Sequence, residues 1–362
     1  MKIGIAAAGS GGHIYPALAV GDALVDLGIE QGDIIFFGGD RMEMRSVPAA
    51  GYRFVQVDMH GFRRSLSTDN LTLPLKVYKA TRVIADEIRA EEIRAMVVFG
   101  GYVSGPAGLA ARRTKIPLII HEANAVPGVA NRMLAPFTHS IYVAFESARA
   151  RLKRAEVVGN PLRSAFEHFD RDLLKPVARA RYGIDPDATV LGVFGGSLGA
   201  AALNDIAAEI ATGHGRQYHV LQITGEPHFQ DFSARATGTD RWTVVAFESE
   251  MEYLYAASDL VLSRSGAMTV SELQATATPA ILVPLPAGRG YQGANADDLA
   301  AGGGVIVINQ DSRHDIVATT RSLLHDAVRR KVMTDALAEA RPSGVARTIA
   351  KHVLEAADDR PS

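Results

Sequence analysis

Residues 8–17 read AGSGGHIYPA. An apolar run, KIGIAA, precedes this stretch, and a run of helical period, ALAVGDALVDLG, follows it. The pattern predicts a strand over Ile3–Ala7, a glycine turn, and a helix over Pro16–Leu27 with proline in its first turn. The free N–H groups and the dipole at such a helix N-terminus favour an anion. A second loop of the same kind, GGSLGA at residues 195–200, follows a second predicted strand.

Strand-like and helix-like patterns alternate along the chain, which predicts parallel sheets with helices on both faces. The alternation restarts after EVVGNPLR at residues 156–163, so we expect an α/β protein of two Rossmann-like, doubly wound domains with a ligand cleft between them. The expected domains are 1–160 and 161–343, and the helix at about 344–362 is expected to pack back on the first. The other predicted strands are Ile34–Phe37, Met96–Phe99, Leu118–His121, Ser140–Val143, Val190–Phe194, His219–Ile223, Thr243–Ala246, Leu260–Ser263, Ala280–Val283 and Val305–Ile308. Helical stretches lie between them, including Leu75–Ala90 and Val126–Leu134.

The composition excludes several classes of protein. The chain has 362 residues, 47% of them hydrophobic and 22% charged, and a net charge of −2, which does not suggest a nucleic-acid partner. It has no cysteine, which rules out disulfides and thiolate metal sites. No apolar run approaches the roughly 20 residues of a membrane span, and the N-terminus does not have the pattern of a signal peptide. We therefore expect a cytoplasmic protein, and attachment to a membrane surface stays open.

The glycine loops fit several kinds of turn, the plainest being a tight strand–helix turn without a ligand. A P-loop is excluded because it needs Gly-Lys, a dipeptide that the chain lacks. A dinucleotide fingerprint fits poorly, since Asp40 lies about 30 residues past Gly9 instead of about 20. Gly195–Gly199 matches the nucleophile elbow of a hydrolase, for which Asp259 and His314 could complete a triad. That single-sheet fold, however, leaves the first glycine loop without a role.

Polar residues cluster where other predicted strands end. His13 suits a general base or a phosphate contact, or simply a capping or packing residue. In FGGYVSGPAGL at residues 99–109, Ser104 is expected to cap the next helix. In IHEANAVPGVANR at residues 120–132, the polar residues fit a functional sheet edge or a plain loop, and HEAN does not extend to the HExxH of a zinc protease.

Two later loops and one amphipathic segment carry further signals. In SRSGAMTVSEL at residues 263–273, Thr269 and Glu272 fit a capping box, and Glu272 equally fits a carboxylate that accepts from a ribose diol. Gln292 and Asn295 can donate to and accept from sugar hydroxyls. Residues 61–94 interleave apolar and basic side chains, which fits either an anionic membrane surface or an ordinary amphipathic helix.

Taken together, these motifs identify a family. AGSGGHIYPALA, FGGYVSGPAGLAA, IPLIIHEANAVPGVANR, VVGNPLR, GGSLGA, SRSGAMTVSEL and QGANA stand in the order found in glycosyltransferase family 28, from about residue 3 to residue 305. The chain resembles the members that transfer N-acetylglucosamine (GlcNAc) from UDP-GlcNAc to lipid I, making lipid II for peptidoglycan. Lipid I is undecaprenyl-pyrophosphoryl-N-acetylmuramyl-pentapeptide. The resemblance implies a GT-B fold, an inverting transfer to the C4 hydroxyl of N-acetylmuramic acid (MurNAc), and no metal or other cofactor.

The resemblance also implies partners and residue roles. An N-terminal acceptor domain would lie on the inner leaflet of the cytoplasmic membrane as a peripheral protein, with other cell-wall enzymes as further partners, and the C-terminal domain would bind UDP-GlcNAc. His13 is the first candidate for the general base. Ser10, Gly11 and Gly12 would face the acceptor pyrophosphate and the reacting hydroxyl, and they are counted among the residues that contact the donor. The other implied contacts are Asn124 to the donor sugar, Arg163 and Ser197 to its diphosphate, Phe247–Glu248 to uracil, Glu272 to ribose, Gln292 to GlcNAc, and Gly101, Tyr102 and Ser104 on the acceptor side.

The chain departs from the family pattern at Ala8, Ala123, Leu198 and Tyr291, and none of these departures removes a charge. Three rival functions remain open at this point. They are another GT-B transferase or a sugar-nucleotide epimerase, an esterase-like hydrolase that uses Ser197, and a module that only binds the nucleotide.

Overall fold

The computed structural model describes residues 1–59, 73–196, 199–213, 218–286, 292–339 and 341–359. The chain divides into two compact units. Unit 1 comprises Met1–Arg163 and Ser343–Ser362, and unit 2 comprises Ser164–Pro342.

Unit 1 is built on a seven-stranded sheet in which every neighbouring pair of strands is parallel. Its strands are β1 Lys2–Ala6, β2 Ile34–Gly38, β3 Arg53–Gln56, β4 Ile93–Val98, β5 Leu118–Glu122, β6 Ser140–Val143 and β7 Glu156–Val157, in the order β3-β2-β1-β4-β5-β6-β7. Its helices are α1 Gly11–Asp26, α2 Glu43–Ala49, α3 Leu73–Ala90, α4 Ser104–Thr114, α5 Val129–Leu134, α6 Glu146–Arg149 and the C-terminal α16 Val345–Asp358. The strand order reverses between β1 and β4, and in open sheets ligands bind at the carboxyl ends of the strands at such a point.

Apolar side chains cover both faces of this sheet, as strands of a doubly wound sheet require. On one face, Ile3 and Ile5 pack in a cluster with α1 and α16. On the other face, Ile35 and Met96 pack in a cluster with α3 and α4. The last helix, α16, thus belongs to unit 1, where Ile349 is fully buried.

Unit 2 repeats the same architecture with six parallel strands. Its strands are β8 Thr189–Phe194, β9 Tyr218–Ile223, β10 Trp242–Val245, β11 Leu260–Ser263, β12 Ala280–Leu282 and β13 Val305–Val307, in the order β10-β9-β8-β11-β12-β13. Its helices are α7 Ser164–Glu167, α8 Arg171–Arg181, α9 Ala201–Thr212, α10 Phe229–Ala236, α11 Met251–Ala257, α12 Ala267–Thr276, α13 Asp297–Ala301, α14 Arg313–His325 and α15 Ala327–Glu339. The reversal between β8 and β11 brings the loops that follow these two strands together.

The predicted fold class is confirmed, and the differences from the sequence analysis are local. Helix α1 begins at Gly11, so Pro16 lies inside the helix and not in its first turn. The glycines allow the helix to start early, and Pro16 lacks only the N–H that would bond to the carbonyl of Gly12. The short strands β3 and β7 were not predicted from the sequence. Helix α5 begins three residues later than predicted, because Pro127 disfavours helical geometry at Val126.

Candidate functional site

The first glycine loop presents an open helix N-terminus. Gly9 has φ +105°, a left-handed conformation that favours glycine. Ser10 is the N-cap of α1, but its exposed side chain makes no capping hydrogen bond. The N–H groups of Gly11 and Gly12 lie in the first turn, where an α-helix leaves donors without an intrahelical acceptor. The loop therefore offers a hydroxyl and backbone donors to a phosphate, as expected from the sequence.

His13 lies just inside this helix and is half-buried. Its ring packs closely against the loop that follows β4. A Cβ added at Gly100 would lie 2.9 Å from Cε1 and 3.0 Å from Nδ1 of His13. Burial lowers the pKa of His13 below its usual 6.5, while the charges of Glu122 and Glu43 and the backbone of Phe99 act in the opposite direction. His13 is therefore neutral at pH 7 and can accept a proton.

The loop after β4 lies against the first glycine loop. Gly101 has φ +80°, and any Cβ there would overlap the carbonyl oxygen of Ala8, so only glycine allows this close approach. Ser104 is not the helix cap that the sequence suggested. Val103 occupies the N-cap position, and the fully buried Ser104 hydroxyl donates to the Gly100 carbonyl over 2.7 Å. Ser104 thus shapes the loop from inside.

A buried carboxylate that no sequence motif predicted connects these loops. Glu43, at the start of α2, is fully buried. Its Oε2 accepts from the Gly9 N–H (3.2 Å), and its Oε1 accepts from the Gly39 N–H and the Tyr102 hydroxyl (3.0 Å each). Burial and the neighbouring Glu43 raise the pKa of Tyr102, so its hydroxyl stays protonated. No spacing rule marks a single glutamate of this kind in the sequence.

A second buried carboxylate holds Asn124. Oε1 of Glu122 accepts from the Asn124 backbone N–H (3.0 Å) and the Asn124 Nδ2 (3.3 Å). Its Oε2 accepts from the Gly128 N–H and the Asn131 Nδ2, both at 2.9 Å. Asn124 is half-buried, and in the HEAN motif the glutamate orients the asparagine.

Two further polar residues of unit 1, His121 and Arg163, occupy different environments. His121 is fully buried, its Nε2 lies 3.0 Å from the Gly159 carbonyl, and burial lowers its pKa to about 4. It is therefore a neutral structural residue. Arg163 is half-buried, and its guanidinium lies over the ring of Tyr15, 5.2 Å from the centroid. Arg163 is the last residue of the first segment of unit 1, next to α1, although the sequence analysis assigned it to the second domain.

The second glycine loop is formed around two glycines with positive φ. Gly196 has φ +95° and Gly199 has φ +74°, and a Cβ at Gly199 would overlap the carbonyl of Thr224. That carbonyl also accepts from Asn204 Nδ2 over 3.0 Å, which fixes the neighbouring strand end. Ser197 and Leu198, between the glycines, lie outside the described residues.

Glu272 lies on α12, close to the β8–β11 reversal. Its Oε2 accepts from the Tyr255 hydroxyl over 2.8 Å, and the residue is half-buried. The capping-box alternative is wrong, because α12 begins at Ala267 with Gly266 as its N-cap, which places Thr269 two residues inside the helix. Glu272 is thus free of a capping role and oriented by a tyrosine.

Phe247 and Glu248 follow β10, but only the first is exposed. The buried Glu248 carboxylate accepts from the Tyr182 hydroxyl (2.7 Å) and from Arg181 (3.1 Å). Its side chain therefore fixes the loop, while the Phe247 ring is 46% exposed.

Gln292 opens a short 3₁₀ helix, Gln292–Ala296, and is half-buried. Its Oε1 accepts from the Leu285 N–H at 3.4 Å, a long bond, and Asn295 is buried with its Nδ2 donating to the Ser265 carbonyl over 3.1 Å. Gln292 therefore faces the loop edge, while Asn295 joins this helix to the loop after β11. Tyr291 lies outside the described residues.

The geometry does not support Asp259 as the acidic residue of a hydrolase triad. Asp259 lies just before β11, at the opposite edge of the sheet from the glycine loop. Its carboxylate pairs with Lys175 (3.0 Å) and Arg179 (2.9 Å) and accepts from the Val190 N–H (2.8 Å). His314 is exposed on α14. Asp259 is therefore a structural residue. Across the described ranges, no group of three or more His, Asp or Glu side chains could hold a metal ion.

Comparisons with known proteins cover nearly the full length of the chain. Residues 3–143 match the Glycosyltransferase family 28 N-terminal domain, and residues 190–349 match the C-terminal domain of the same family. A UDP-N-acetylglucosamine--N-acetylmuramyl-(pentapeptide) pyrophosphoryl-undecaprenol N-acetylglucosamine transferase of Mycobacterium sp. (strain KMS) is 40% identical, over 98% of this chain and 95% of the relative. One of the same name from Clavibacter sepedonicus is 38% identical, over 99% and 97%. The crystal structure of Acinetobacter baumannii MurG superimposes with a TM-score of 0.75 at 25% identity, over 98% of this chain and all of the other.

Two parallel Rossmann-like sheets, each with a glycine loop at its strand-order reversal, define the GT-B fold, which the MurG structure shares. Both halves carry the sequence pattern of one family. The chain belongs to glycosyltransferase family 28.

Proposed function

We propose that this protein transfers GlcNAc from UDP-GlcNAc to the C4 hydroxyl of MurNAc in lipid I and releases lipid II and UDP. The observation that carries the proposal is the match of both halves to transferases of that name, at 38–40% identity over nearly the whole chain. Unit 1 binds the acceptor, and unit 2 binds the uridine of the donor.

In the proposed reaction His13 is the general base. The C4 hydroxyl oxygen of MurNAc attacks the anomeric carbon of GlcNAc while its proton passes to a ring nitrogen of His13. The bond between that carbon and the diphosphate oxygen breaks, and UDP leaves with the electron pair. Attack from the face opposite the leaving group converts the α-linked donor to a β(1→4) product. The lowered pKa of His13 supports this role, because the ring is neutral when substrate arrives.

The proposed phosphate contacts come from the glycine loops. The Ser10 hydroxyl and the N–H groups of Gly11 and Gly12 bind the acceptor pyrophosphate. Ser197 and the cationic Arg163 stabilise the charge that develops on UDP. On the donor, Asn124 and Gln292 contact the GlcNAc hydroxyls. Glu272 accepts from both ribose hydroxyls, a role supported by its orientation through Tyr255.

We also propose that unit 1 attaches to the anionic inner leaflet through a basic–apolar surface on α3 and α4. Leu75, Tyr78 and Leu109 are exposed there. The exposed cations on the same two helices include Lys79, Arg82, Arg112 and Arg113. Exposed apolar side chains beside cations suit a peripheral contact with anionic lipid. No helix within the described ranges is long and apolar enough to cross a membrane.

The transfer is tested by following UDP release from UDP-GlcNAc with and without a short-chain lipid I analogue. We expect release only with the analogue, and its loss in Glu272→Ala. Release without the analogue would indicate a hydrolase, and conversion of the donor to an epimer would indicate the epimerase alternative. Binding of UDP-GlcNAc without any turnover would leave a nucleotide-binding module.

The membrane contact is tested by sedimentation with vesicles of phosphatidylglycerol or phosphatidylcholine. We expect binding to the anionic vesicles only, and weaker binding in Leu75→Ser. Leu173→Ser is the matched control, since Leu173 is an exposed leucine (72%) on α8 of unit 2. Equal binding to both kinds of vesicle, or equal loss in both variants, would refute the basic–apolar surface.

A further inference from the structure

Glu43 is a buried carboxylate whose three hydrogen bonds reach three different loops. Gly9 lies between β1 and α1, Gly39 between β2 and α2, and Tyr102 between β4 and α4. Because the sheet order places β2, β1 and β4 side by side, these loops are neighbours at the carboxyl edge. A carboxylate has only acceptors, so one side chain can satisfy donors from all three loops.

The absence of a side chain at Gly38 and Gly39 leaves the space that the Glu43 and Tyr102 side chains occupy. A Cβ at Gly38 would lie 2.8 Å from Glu43 Cγ, and a Cβ at Gly39 would overlap the Tyr102 hydroxyl. Among the described residues, no lysine or arginine forms an ion pair with Glu43, so a buried negative charge is held by hydrogen bonds alone. Such a charge is costly to bury, which makes it weak evidence for a purely stabilising role.

We infer that Glu43 is a positioning residue for the acceptor side: it holds the loop that carries Ser10 and His13 in register with Tyr102. The loop geometry stands by itself, and the consequence for catalysis rests on the proposed function. Glu43 also contributes negative charge near His13. The other titratable groups facing this ring are Glu122, which acts in the same direction, and the buried His121.

The decisive variant is Glu43→Gln, which keeps the shape, removes the charge, and leaves at least one loop donor without an acceptor. The matched control is Glu91→Gln. Glu91 is a carboxylate of the same unit that pairs with Lys2 (2.6 Å) and Arg53 (2.8 Å), away from the glycine loops. Tyr102→Phe removes one of the three hydrogen bonds and keeps the charge, so it supplies a milder test if Glu43→Gln does not fold.

The first readout is independent of activity. We expect amide hydrogen exchange to become faster over residues 8–15 and 38–42 in Glu43→Gln, and over residues 99–104 in Tyr102→Phe, with no change in Glu91→Gln. In Glu43→Gln, NMR titration of the histidine rings should show a lower pKa for His13, because a charge that favours imidazolium is gone.

The second readout uses the lipid I analogue. Hydrogen bonds to a charged group contribute more free energy than those between neutral groups. We therefore expect kcat/KM for the acceptor to fall roughly 10- to 100-fold in Glu43→Gln. The acid limb of kcat/KM should move to lower pH in that variant and stay in place in Tyr102→Phe. If the wild type does not use the analogue but the exchange and titration change as expected, the proposed function fails and the positioning role stands. If Glu43→Gln matches Glu91→Gln in every readout while the wild type is active, the positioning role is refuted.

Discussion

Replacing Gly100 by alanine tests directly whether the position of His13 controls the reaction. Gly100 has φ +96° and Gly28 has φ +98°, so an alanine at either site takes on a similar backbone strain of about 1–2 kcal/mol. Nothing lies within 4 Å of a Cβ at Gly28, whereas a Cβ at Gly100 would lie 2.9 Å from His13 Cε1. The two variants therefore share the backbone cost and differ in the contact with His13.

The magnitude of the effect follows from this distance. Ordinary van der Waals contact begins at 3.4 Å, so the His13 ring must move by about 0.5 Å in Gly100→Ala. Catalytic groups are held to within about 0.5 Å, and a displacement of about 1 Å can reduce a rate about 100-fold. We expect kcat/KM to fall about tenfold in Gly100→Ala and to stay within twofold in Gly28→Ala.

The assay pairs steady-state kinetics on the lipid I analogue with urea unfolding followed by circular dichroism. Both variants should lower the unfolding midpoint by a similar amount, and only Gly100→Ala should lose activity. Equal activity in the two variants would show that the position of the His13 ring does not control the rate, because the only designed difference is the contact with His13. Loss of activity in Gly28→Ala would show that backbone strain alone is responsible.

Three further predictions concern other parts of the site. Glu122→Gln should raise KM for UDP-GlcNAc about tenfold or more, because an amide cannot accept all four hydrogen bonds that orient Asn124 and its loop; an unchanged KM would contradict this. Tyr255→Phe should raise the KM for UDP-GlcNAc, with little change in kcat, because it removes the hydrogen bond that the Tyr255 hydroxyl donates to Glu272 Oε2; isothermal titration with UDP should show the same weakening. His121 is neutral in the fold and has a pKa of about 4 there against about 6.5 unfolded, so the unfolded state binds more protons between these values and stability falls as the pH drops from 6.5 to 4. Urea unfolding across that range should show a smaller slope with pH in His121→Gln, and an equal slope would contradict the assignment.

The sequence predicted the sheets and the strand ends better than the helix starts. Alternating apolar runs and helical periods are local signals, and both strand-order reversals follow from common Rossmann topology. Helix starts depend on which turn the glycines allow. This is why Ser104, a residue type typical of caps, lies one position inside α4, and why α12 begins at Ala267 instead of after Thr269.

Some candidate site residues could be proposed from motifs that carry their own chemistry. His13, Asn124 and Glu272 come from such motifs, and their part in the reaction stays a prediction. Glu43 was not predictable, because its role exists only when three loops distant in sequence meet in the fold. The alternative use of Asp259 was also undecidable from spacing, and it was settled by the two cations and the backbone N–H that bind its carboxylate.

In the proposed reaction this chain forms a β(1→4) bond between GlcNAc and the MurNAc of lipid I, with His13 as the base. The most direct measurement is the mass and the anomeric coupling of the lipid product made by the wild type and by His13→Ala. We expect a β-linked disaccharide from the wild type and a rate lower by about 10²- to 10⁴-fold in His13→Ala. An α-linked product, a sugar added elsewhere than C4, or a fully active His13→Ala would contradict the account.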